Sequence, residues 1–382
     1  MDPSENVVRL FLAGDVMLGR GVDQALKHFC DPELREPYVT DARQYLHLAE
    51  SANGSVGSPL AAEEPWGEAL QVLEEEGAGH FVVNLETAVT ADGEYWPEKG
   101  IHYRTHPENI AVLQAAGVDC CSLANNHTLD FSRSGLEETL SHLSSAGITV
   151  VGAGANRRQA RKAKILGTES SGPRGGSDHG PGAGPLAVLS VCFPDSGVPY
   201  LWAAEEQSSG VFLLEEPGEV AAKAVIDALK AVPEETPRLL SVHWGANWGY
   251  EIPERQRRFS RALVESGAVD FIFGHSSHHP KEVEVYREKG IIYGAGDCIN
   301  DYEGIEGHRE YRPDLGLLYL VELTRGALLR MEAIPFRRRR FRLERVSGED
   351  SVFLSKVLSH HGTGPAVAIE SDGRLVVHLG PG

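Results

Sequence analysis

The sequence predicts an α/β protein with largely parallel strands, and three observations support this fold class. Short apolar runs that stop at a glycine or a polar residue recur along the chain, for instance at residues 7–14, 79–86 and 186–192. Helical patterns separate these runs. Several of the helical patterns begin with proline or serine, which favour the first turn of a helix. Strands that alternate with helices in this way are typical of parallel sheets.

The elements follow in order along the chain. The predicted strands cover residues 7–14, 79–86, 118–125, 148–154, 186–192, 238–245 and 269–275. The predicted helices between them are Pro65–Glu76, Pro107–Ala116, Ser134–Ala146, Glu216–Ala231 and Pro253–Ser266. Residues 169–184 are rich in Gly, Ser and Pro and predict a flexible surface insertion.

The pattern changes after residue 280, where successive strands follow one another with few helices between them. We expect a last helix at Glu349–His360 and a β-hairpin that turns at Asp372-Gly373. Arg337–Arg340 form a basic run in this region, and we favour alternating solvated positions on an exposed strand over an anion-docking patch.

Composition limits the classes of function. The chain has 382 residues and a formal net charge of −19, which argues against a nucleic acid or a membrane surface as partner. No apolar run is long enough to span a bilayer, and the acidic start lacks the features of a signal peptide. Five scattered cysteines predict reduced, buried thiols. We therefore expect a cytoplasmic protein.

Polar side chains follow the carboxyl ends of six predicted strands, the edge of a parallel sheet where ligands bind. None of these ends carries Lys or Arg. Carboxylates and imidazoles that gather at one edge are costly to bury unless a cation lies among them. Such ligands suit divalent Zn, Mn or Fe. The sequence therefore predicts a metal site, with candidate residues Asp15, Asn84, Glu86, Asn125, Asn126, His127, His243, His275, His278, His279 and Asp297.

Each of these residues also has a structural explanation when it is taken alone. An Asp after a strand is usually a turn or cap residue, and a lone His is more often hydrogen-bonded than a metal ligand. A structural protein with incidental histidines would need a separate explanation at each strand end. The joint pattern therefore favours the metal site.

Five motifs occur in order between about residues 8 and 305: LAGDVMLGR, NLETAVT, LANNHTLDF, VHWGANWGYEIPERQ and GHSSHHP. Together they resemble the capsule-synthesis family, the CapA or poly-γ-glutamate capsule group, which is related to the calcineurin-like metallophosphoesterases. The resemblance implies a four-layer α/β/β/α sandwich over residues 1–335 with a two-metal centre between the sheets. It leaves residues 336–382 as a C-terminal extension that packs on this domain through the last helix and hairpin.

The resemblance also implies residue roles. Glu86 takes the place of the carboxylate that bridges the two metals. His127 matches the histidine that protonates a leaving group, and we count it with Asp15 as catalytic. The residues that match metal ligands are Asp15, Asn126, His243, His275 and His278, together with Glu86.

Three positions depart from the pattern of the relatives. Met17 stands where phosphoesterases carry histidine, and Asp297 stands where relatives commonly carry Asn. The last motif reads Gly-His-Ser-Ser-His-His-Pro instead of Gly-His-His-Pro-His, so either His278 or His279 could be the ligand. These departures leave open whether one or two metals bind.

Substrate contacts are assigned to four residues: Arg104, Asn247, Asp297 and His279. Arg104 could pair with a carboxylate or phosphate, or form a surface ion pair. The implied function is a metal-dependent hydrolase in which two divalent ions (Mn, Zn or Fe) activate water. Its substrate would be a small molecule or an anionic polymer, cleaved at a phosphoester or a γ-glutamyl amide bond. The alternative is a non-catalytic component of poly-γ-glutamate synthesis or export, and no oligomeric state is predicted.

Overall fold

The computed structural model describes residues 7–167, 184–362 and 364–380. The α-helices in these ranges are α1 Gly21–Ala25, α2 Arg43–Asn53, α3 Ala69–Glu76, α4 Ile110–Ala115, α5 Ser132–Ser145, α6 Arg157–Ala160, α7 Glu219–Leu229, α8 Glu254–Glu265 and α9 Glu349–Leu358. The strands are β1 Val8–Val16, β2 His80–Leu85, β3 Ala88–Val89, β4 Arg104–Thr105, β5 Cys120–Ser122, β6 Thr149–Val151, β7 Ala153–Gly154, β8 Lys164–Leu166, β9 Leu186–Cys192, β10 Gly210–Val211, β11 Arg238–His243, β12 Phe271–His275, β13 Val283–Tyr286, β14 Lys289–Ile292, β15 Asp297–Ile299, β16 Leu315–Leu323, β17 Leu328–Arg339, β18 Arg342–Arg345, β19 Val367–Ile369 and β20 Leu375–Val377.

The larger sheet contains ten strands in the order β19-β20-β17-β16-β1-β2-β5-β6, with β15 beside β1 and β18 beside β17. Strands β1, β2, β5 and β6 are parallel, whereas β16 and β17 run antiparallel. β1 is buried along nearly its whole length because it lies in the middle of this sheet, and its continuous apolar sequence fits that position.

The smaller sheet contains six strands in the order β13-β14-β12-β11-β9-β8. Its four central strands are parallel, and β8 and β13 pair antiparallel at the two edges. The α/β class with parallel central strands is therefore confirmed.

Side-chain alternation along the strands divides the hydrophobic core. In β2, Phe81 and Val83 contact a cluster that includes Val72 of α3 and Leu113 of α4, whereas Val82 faces the opposite side of the sheet. This alternation is what the period of two in a strand dictates. The smaller sheet likewise has a cluster that it shares with α7 and α8.

A separate cluster joins the two sheets. It contains Leu10 and Leu12 from β1 in the larger sheet, and Val188, Phe271 and Phe273 from β9 and β12 in the smaller one. The two sheets therefore pack face to face, and this packing sets the carboxyl ends of β1 and β12 close to each other.

The structure differs from the predicted elements at two glycines. The predicted helix Pro65–Glu76 is interrupted at Gly67, whose φ of 48° ends a short 3-10 turn before α3 begins. The predicted strand 148–154 is divided by Gly152, where φ is 82° and an added Cβ would lie 2.7 Å from Ala124 Cβ. Both backbone conformations favour glycine.

The C-terminal helix and hairpin occur as predicted, and β20 pairs with β17. β17 runs through the predicted boundary at residues 335/336, and the division into two parts stays a prediction. The solvated-strand prediction is wrong for Arg338, which is buried. The predicted insertion lies outside the described residues except for Gly184.

All five cysteines are buried free thiols, as predicted. Among the described helices, none combines the length and the hydrophobicity that crossing a bilayer requires.

We expect Phe271→Ala to lower the free energy of unfolding by about 3–5 kcal/mol, because it leaves a cavity between the sheets. Urea denaturation would measure this loss. Tyr38→Ala is the control, since Tyr38 is 96% exposed. Equal stability of the two variants would contradict the inter-sheet position of Phe271.

Candidate metal centre

Strand register brings the predicted site residues together. β1 pairs with both β15 and β2, so Asp15 lies opposite Asp297 on one side and Asn84 on the other. In the smaller sheet, β11 pairs with β12 so that His243 lies opposite His275. Because the sheets pack face to face, these strand ends meet at one place.

A backbone contact links the two strand ends directly. The N–H of Ser276, which follows β12, donates to Asp15 Oδ2 at 3.2 Å. Ser276 has a φ of 100°, a conformation that is strained for a residue other than glycine. The chain turns here after His275 and returns His278 to the same site.

The first group of candidate ligands is Asp15, His243 and His275, whose ligand atoms all lie within 4.8 Å of one another. The two imidazole Nδ1 atoms face each other at 2.8 Å, and His275 Nδ1 lies 3.9 Å from Asp15 Oδ1. All three residues are fully buried.

The outer nitrogen of each imidazole in this group is bound elsewhere. His243 Nε2 lies 3.0 Å from Asn126 Oδ1, and His275 Nε2 lies 2.7 Å from Ser241 Oγ. Because the amide oxygen of Asn126 only accepts, it receives the Nε2 proton of His243 and leaves Nδ1 with a free lone pair. The structure thus gives Asn126 a supporting contact, and its own role as a metal ligand stays a prediction.

The second group is Asp15, His278 and Asp297, which meets the same limit of 4.8 Å. His278 Nδ1 lies 3.0 Å from Asp297 Oδ1, and the Asn300 amide donates to Asp297 Oδ2 at 2.6 Å. Asp297, which the sequence places among the strand-end candidates and also predicts as a substrate contact, therefore lies among the candidate ligands. Asp15 is the carboxylate that the two groups share.

Glu86 lies beside the first group. Its carboxylate oxygens are 4.0 Å from His243 Nδ1 and 3.8 Å from His127 Nε2. The side-chain amide of Asn84 donates to both Asp15 Oδ1 and Glu86 Oε2, and so holds the two carboxylates near each other. Asp15, and not Glu86, is the carboxylate that the two groups share. The bridging role of Glu86 stays a prediction.

Burial shifts the acid–base behaviour of these groups. Burial, and next the charge of Asp297, raise the pKa of Asp15 to about 7. Burial, and next the charge of Asp15, raise the pKa of Glu86 well above its usual range. Burial also lowers the pKa of His275 to about 3, so this imidazole is neutral and free to bind a metal.

The donor set fits a divalent cation. Buried carboxylates that repel each other are stabilised by a positive charge among them, and neutral imidazoles supply lone pairs. Two facing Nδ1 atoms need a proton or a cation between them. Nitrogen and oxygen donors in this combination suit Zn, Mn or Fe.

His127 lies at the edge of the same site. Its Nδ1 is 2.6 Å from Asp130 Oδ2 and 3.0 Å from Lys99 Nζ, and the ammonium of Lys99 also contacts Asp130. With the ring proton on Nδ1, His127 donates to Asp130 and turns Nε2 toward Glu86. Burial, and next the charge of Lys99, lower the pKa of His127 to about 4.

Sequence reasoning missed the two partners of His127. Asp130 stands three residues after His127 in the motif LANNHTLDF, so its position on the same turn was a usable signal. Lys99 comes from an irregular segment between β3 and β4, where no pattern marks it.

The predicted substrate residues differ in their contacts with the candidate ligands. Asn247 Nδ2 lies 3.1 Å from His278 Nε2, at the site. The nitrogens of His279 are occupied by backbone groups of Gly249 and Pro280, so His278, and not His279, joins the ligand group. The Arg104 guanidinium lies 4.7 Å from the Phe131 ring and donates to the Asp31 carbonyl, and its substrate role stays a prediction.

The side chain of Met17 lies next to Tyr302. Met17 is buried, and its sulfur lies 4.0 Å from the hydroxyl of Tyr302. That hydroxyl lies 3.4 Å from His278 Nε2 and accepts a hydrogen bond from Tyr103. The thioether of Met17 thus contacts a phenol that lies beside a candidate metal ligand.

Fold and site together define an α/β protein that carries a buried carboxylate–imidazole group suited to divalent cations at its strand ends. The family model described as "Bacterial capsule synthesis protein PGA_cap" matches residues 9–302. The chain belongs to this family, which confirms the family predicted from the five motifs.

Relatives in this family cover much of the chain. A "Probable polyglutamine synthesis accessory protein" of Mycobacterium tuberculosis is 42% identical over 365 residues, which are 94% of this chain and 92% of that protein. The "PGA biosynthesis protein CapA" of Bacillus subtilis is 29% identical over 57% of this chain and 52% of its own length. The "Capsule biosynthesis protein CapA" of Bacillus anthracis is 25% identical over 76% of this chain and 59% of its own length.

We expect single substitutions to remove metals selectively. Asp15→Asn should abolish binding of two equivalents of Mn²⁺ or Zn²⁺, since both groups share Asp15. His275→Ala and His278→Ala should each lose one equivalent. Elemental analysis after dialysis against the metal would measure this, with exposed His47→Ala as the matched control.

Glu86→Ala extends the same experiment. Loss of both equivalents would support the bridging role of Glu86, whereas full occupancy would contradict it. Retention of two equivalents by Asp15→Asn would contradict the shared ligand.

Proposed function

We propose that this chain is a metal-dependent hydrolase with two divalent ions, one bound at each of the two ligand groups that share Asp15. The observation that supports this most strongly is the convergence of Asp15, His243, His275, His278 and Asp297 within a few ångströms. These residues come from four strand ends or loops in two sheets, a convergence that no single element requires.

We also propose that the fold is a metallophosphoesterase-like α/β/β/α sandwich. The three hydrophobic clusters support this layering, because one joins the sheets and the other two join each sheet to its helices. The ligand groups would then lie between the sheets at their carboxyl edge.

The proposed reaction divides its tasks between the ions and the protein. When bound, divalent ions supply Lewis acidity and lower the pKa of water, so that hydroxide is available near neutral pH. Asp15, Asp297 and the imidazoles of His243, His275 and His278 would hold the ions, and Asn126 and Ser241 contact two of these rings and orient them. His127, whose Nδ1–H donates to Asp130, would take up a proton from the attacking water at Nε2 and pass it to the leaving group, while Asp130 holds the ring in place.

Two bond types suit this chemistry. A phosphoester follows from the relationship to the metallophosphoesterases, and a γ-glutamyl amide follows from the names of the relatives, which refer to PGA or capsule biosynthesis. In both cases bound divalent ions would stabilise the negative charge that develops on the attacked group, and an alkoxide or amine leaving group would need a proton.

A second candidate function is an accessory role in polymer synthesis without catalysis. The name of the mycobacterial relative, an accessory protein, favours this candidate. In that case the metal held by the two ligand groups would stabilise the fold and take no part in a reaction.

Hydrolysis assays separate the two candidates. We expect metal-loaded protein to cleave p-nitrophenyl phosphoesters or γ-glutamyl peptides, and we expect chelation or His243→Ala to abolish this turnover. Absence of metal-dependent turnover on both substrate classes would contradict the hydrolase and favour the accessory role.

The role of His127 generates a further prediction. On a γ-glutamyl peptide, whose amine leaving group needs a proton, His127→Ala should lower kcat by about 10²- to 10⁴-fold, the usual contribution of a general acid, while metal content stays constant. Asp130→Asn should lower kcat less, because the ring remains but loses its orienting acceptor. An unchanged kcat, or a parallel loss of metal, would assign His127 a structural role instead.

A further inference from the structure

A surface pocket with a volume of about 860 Å³ lies beside the candidate metal centre. Two of its lining residues contact the side chains of candidate ligands. Asn300 donates to Asp297, and the Tyr302 hydroxyl lies 3.4 Å from His278 Nε2. The pocket and the metal centre therefore share a wall.

Positive charge is concentrated in this pocket, which we call the arginine pocket. Its lining contains the acidic residues Glu303, Glu306 and Asp314 and the basic residues Arg309, Arg312, Arg337, Arg338 and Arg339. The chain as a whole has a net charge of −19, so the arginine pocket reverses the prevailing sign locally. A surface of this kind attracts anions.

Ion pairs inside the protein neutralise part of this charge. Arg312 and Arg337 both contact Asp314 and Asp350, and these four side chains form a closed network. Glu303 is also occupied, because it accepts from the backbone N–H groups of Arg340 and Phe341. These residues form a fixed wall and contribute little free charge.

Two guanidinium groups remain available. Arg339 is exposed, and within the described part of the chain its guanidinium has neither an ion pair nor a hydrogen bond. Arg309 has only a distant contact of 3.9 Å to Glu306, and both side chains are more than 80% exposed. Neither cation is neutralised by a close carboxylate.

Arg338 adds a buried charge that lacks a counter-ion. It is 3% exposed and donates to the backbone carbonyls of Asp297, Pro313 and Leu315. Its Nε has no hydrogen-bond partner, and across residues 7–167, 184–362 and 364–380 no carboxylate pairs with its guanidinium. A buried guanidinium that is held by carbonyls alone is stabilised when an anion approaches.

We propose that the arginine pocket binds the carboxylates of an extended acidic chain and leads one of its linkages to the metal centre. This inference rests on the proposed hydrolase function and assigns a substrate-binding surface to it beside the metal centre. The volume is that of a site for a ligand of several residues, and an isolated phosphate would fill only a small part of it. Guanidinium groups bind carboxylates through paired hydrogen bonds, so successive side chains of the ligand would meet Arg339 and Arg309.

Fluorescence anisotropy with a labelled γ-linked oligoglutamate tests this proposal on the full metal-loaded chain. We expect R309Q/R339Q to raise the Kd about tenfold or more, because each charged hydrogen bond that is lost weakens binding substantially. Arg258→Gln on α8 is the matched control, since Arg258 is 79% exposed and lies outside the arginine pocket. Metal content and Tm of the double variant should match those of the unsubstituted chain.

Competition distinguishes the possible sources of the anion. Unlabelled oligoglutamate should displace the probe, whereas inorganic phosphate at the same charge concentration should not. Displacement by phosphate but not by oligoglutamate would overturn the proposal. Equal affinity of R309Q/R339Q and Arg258→Gln for the probe would also overturn it. Because binding is measured without turnover, arginine-dependent binding in a chain that hydrolyses no substrate would overturn the hydrolase function and leave the acidic-chain site in place.

Discussion

The burial of Asp15 between two sheets is the constraint on which the site depends. A carboxylate at this depth, next to Asp297, loses its hydration and meets a like charge, so its pKa rises to about 7. Imidazoles from the smaller sheet surround it because inter-sheet packing leaves the ends of β1, β11 and β12 at one edge. Packing between the sheets thus buries two carboxylates next to each other, and a bound cation would offset their repulsion.

The surrounding hydrogen bonds orient the donor atoms. Asn126 and Ser241 bind the outer nitrogens of His243 and His275, and Asn84 holds the carboxylates of Asp15 and Glu86. Partners of this kind fix the ring orientation and the tautomer of a metal-binding histidine. These polar side chains therefore fix the orientation of the candidate ligand atoms through hydrogen bonds within the protein.

Asp297 lies between the candidate metal centre and the arginine pocket. Its carboxylate faces His278 and Asp15 in the interior, while its backbone carbonyl accepts from Arg338 in the wall of the arginine pocket. A negatively charged centre would by itself repel an acidic ligand. The arginines beside it offset this repulsion, and bound cations would reverse it at the reacting bond.

The α/β class and several residues of the candidate site could be predicted from the amino-acid sequence alone, because periodicity and strand-end residues are local properties. Asp15, His243 and His275 could be predicted for this reason. The folded structure was needed to show that Asp15 is common to both candidate ligand groups and that His278, and not His279, lies in the second group. It also decided that Lys99 meets His127 and that Arg338 is buried. These outcomes depend on how two sheets pack and how irregular segments return, and contacts between residues far apart in the chain leave no local pattern.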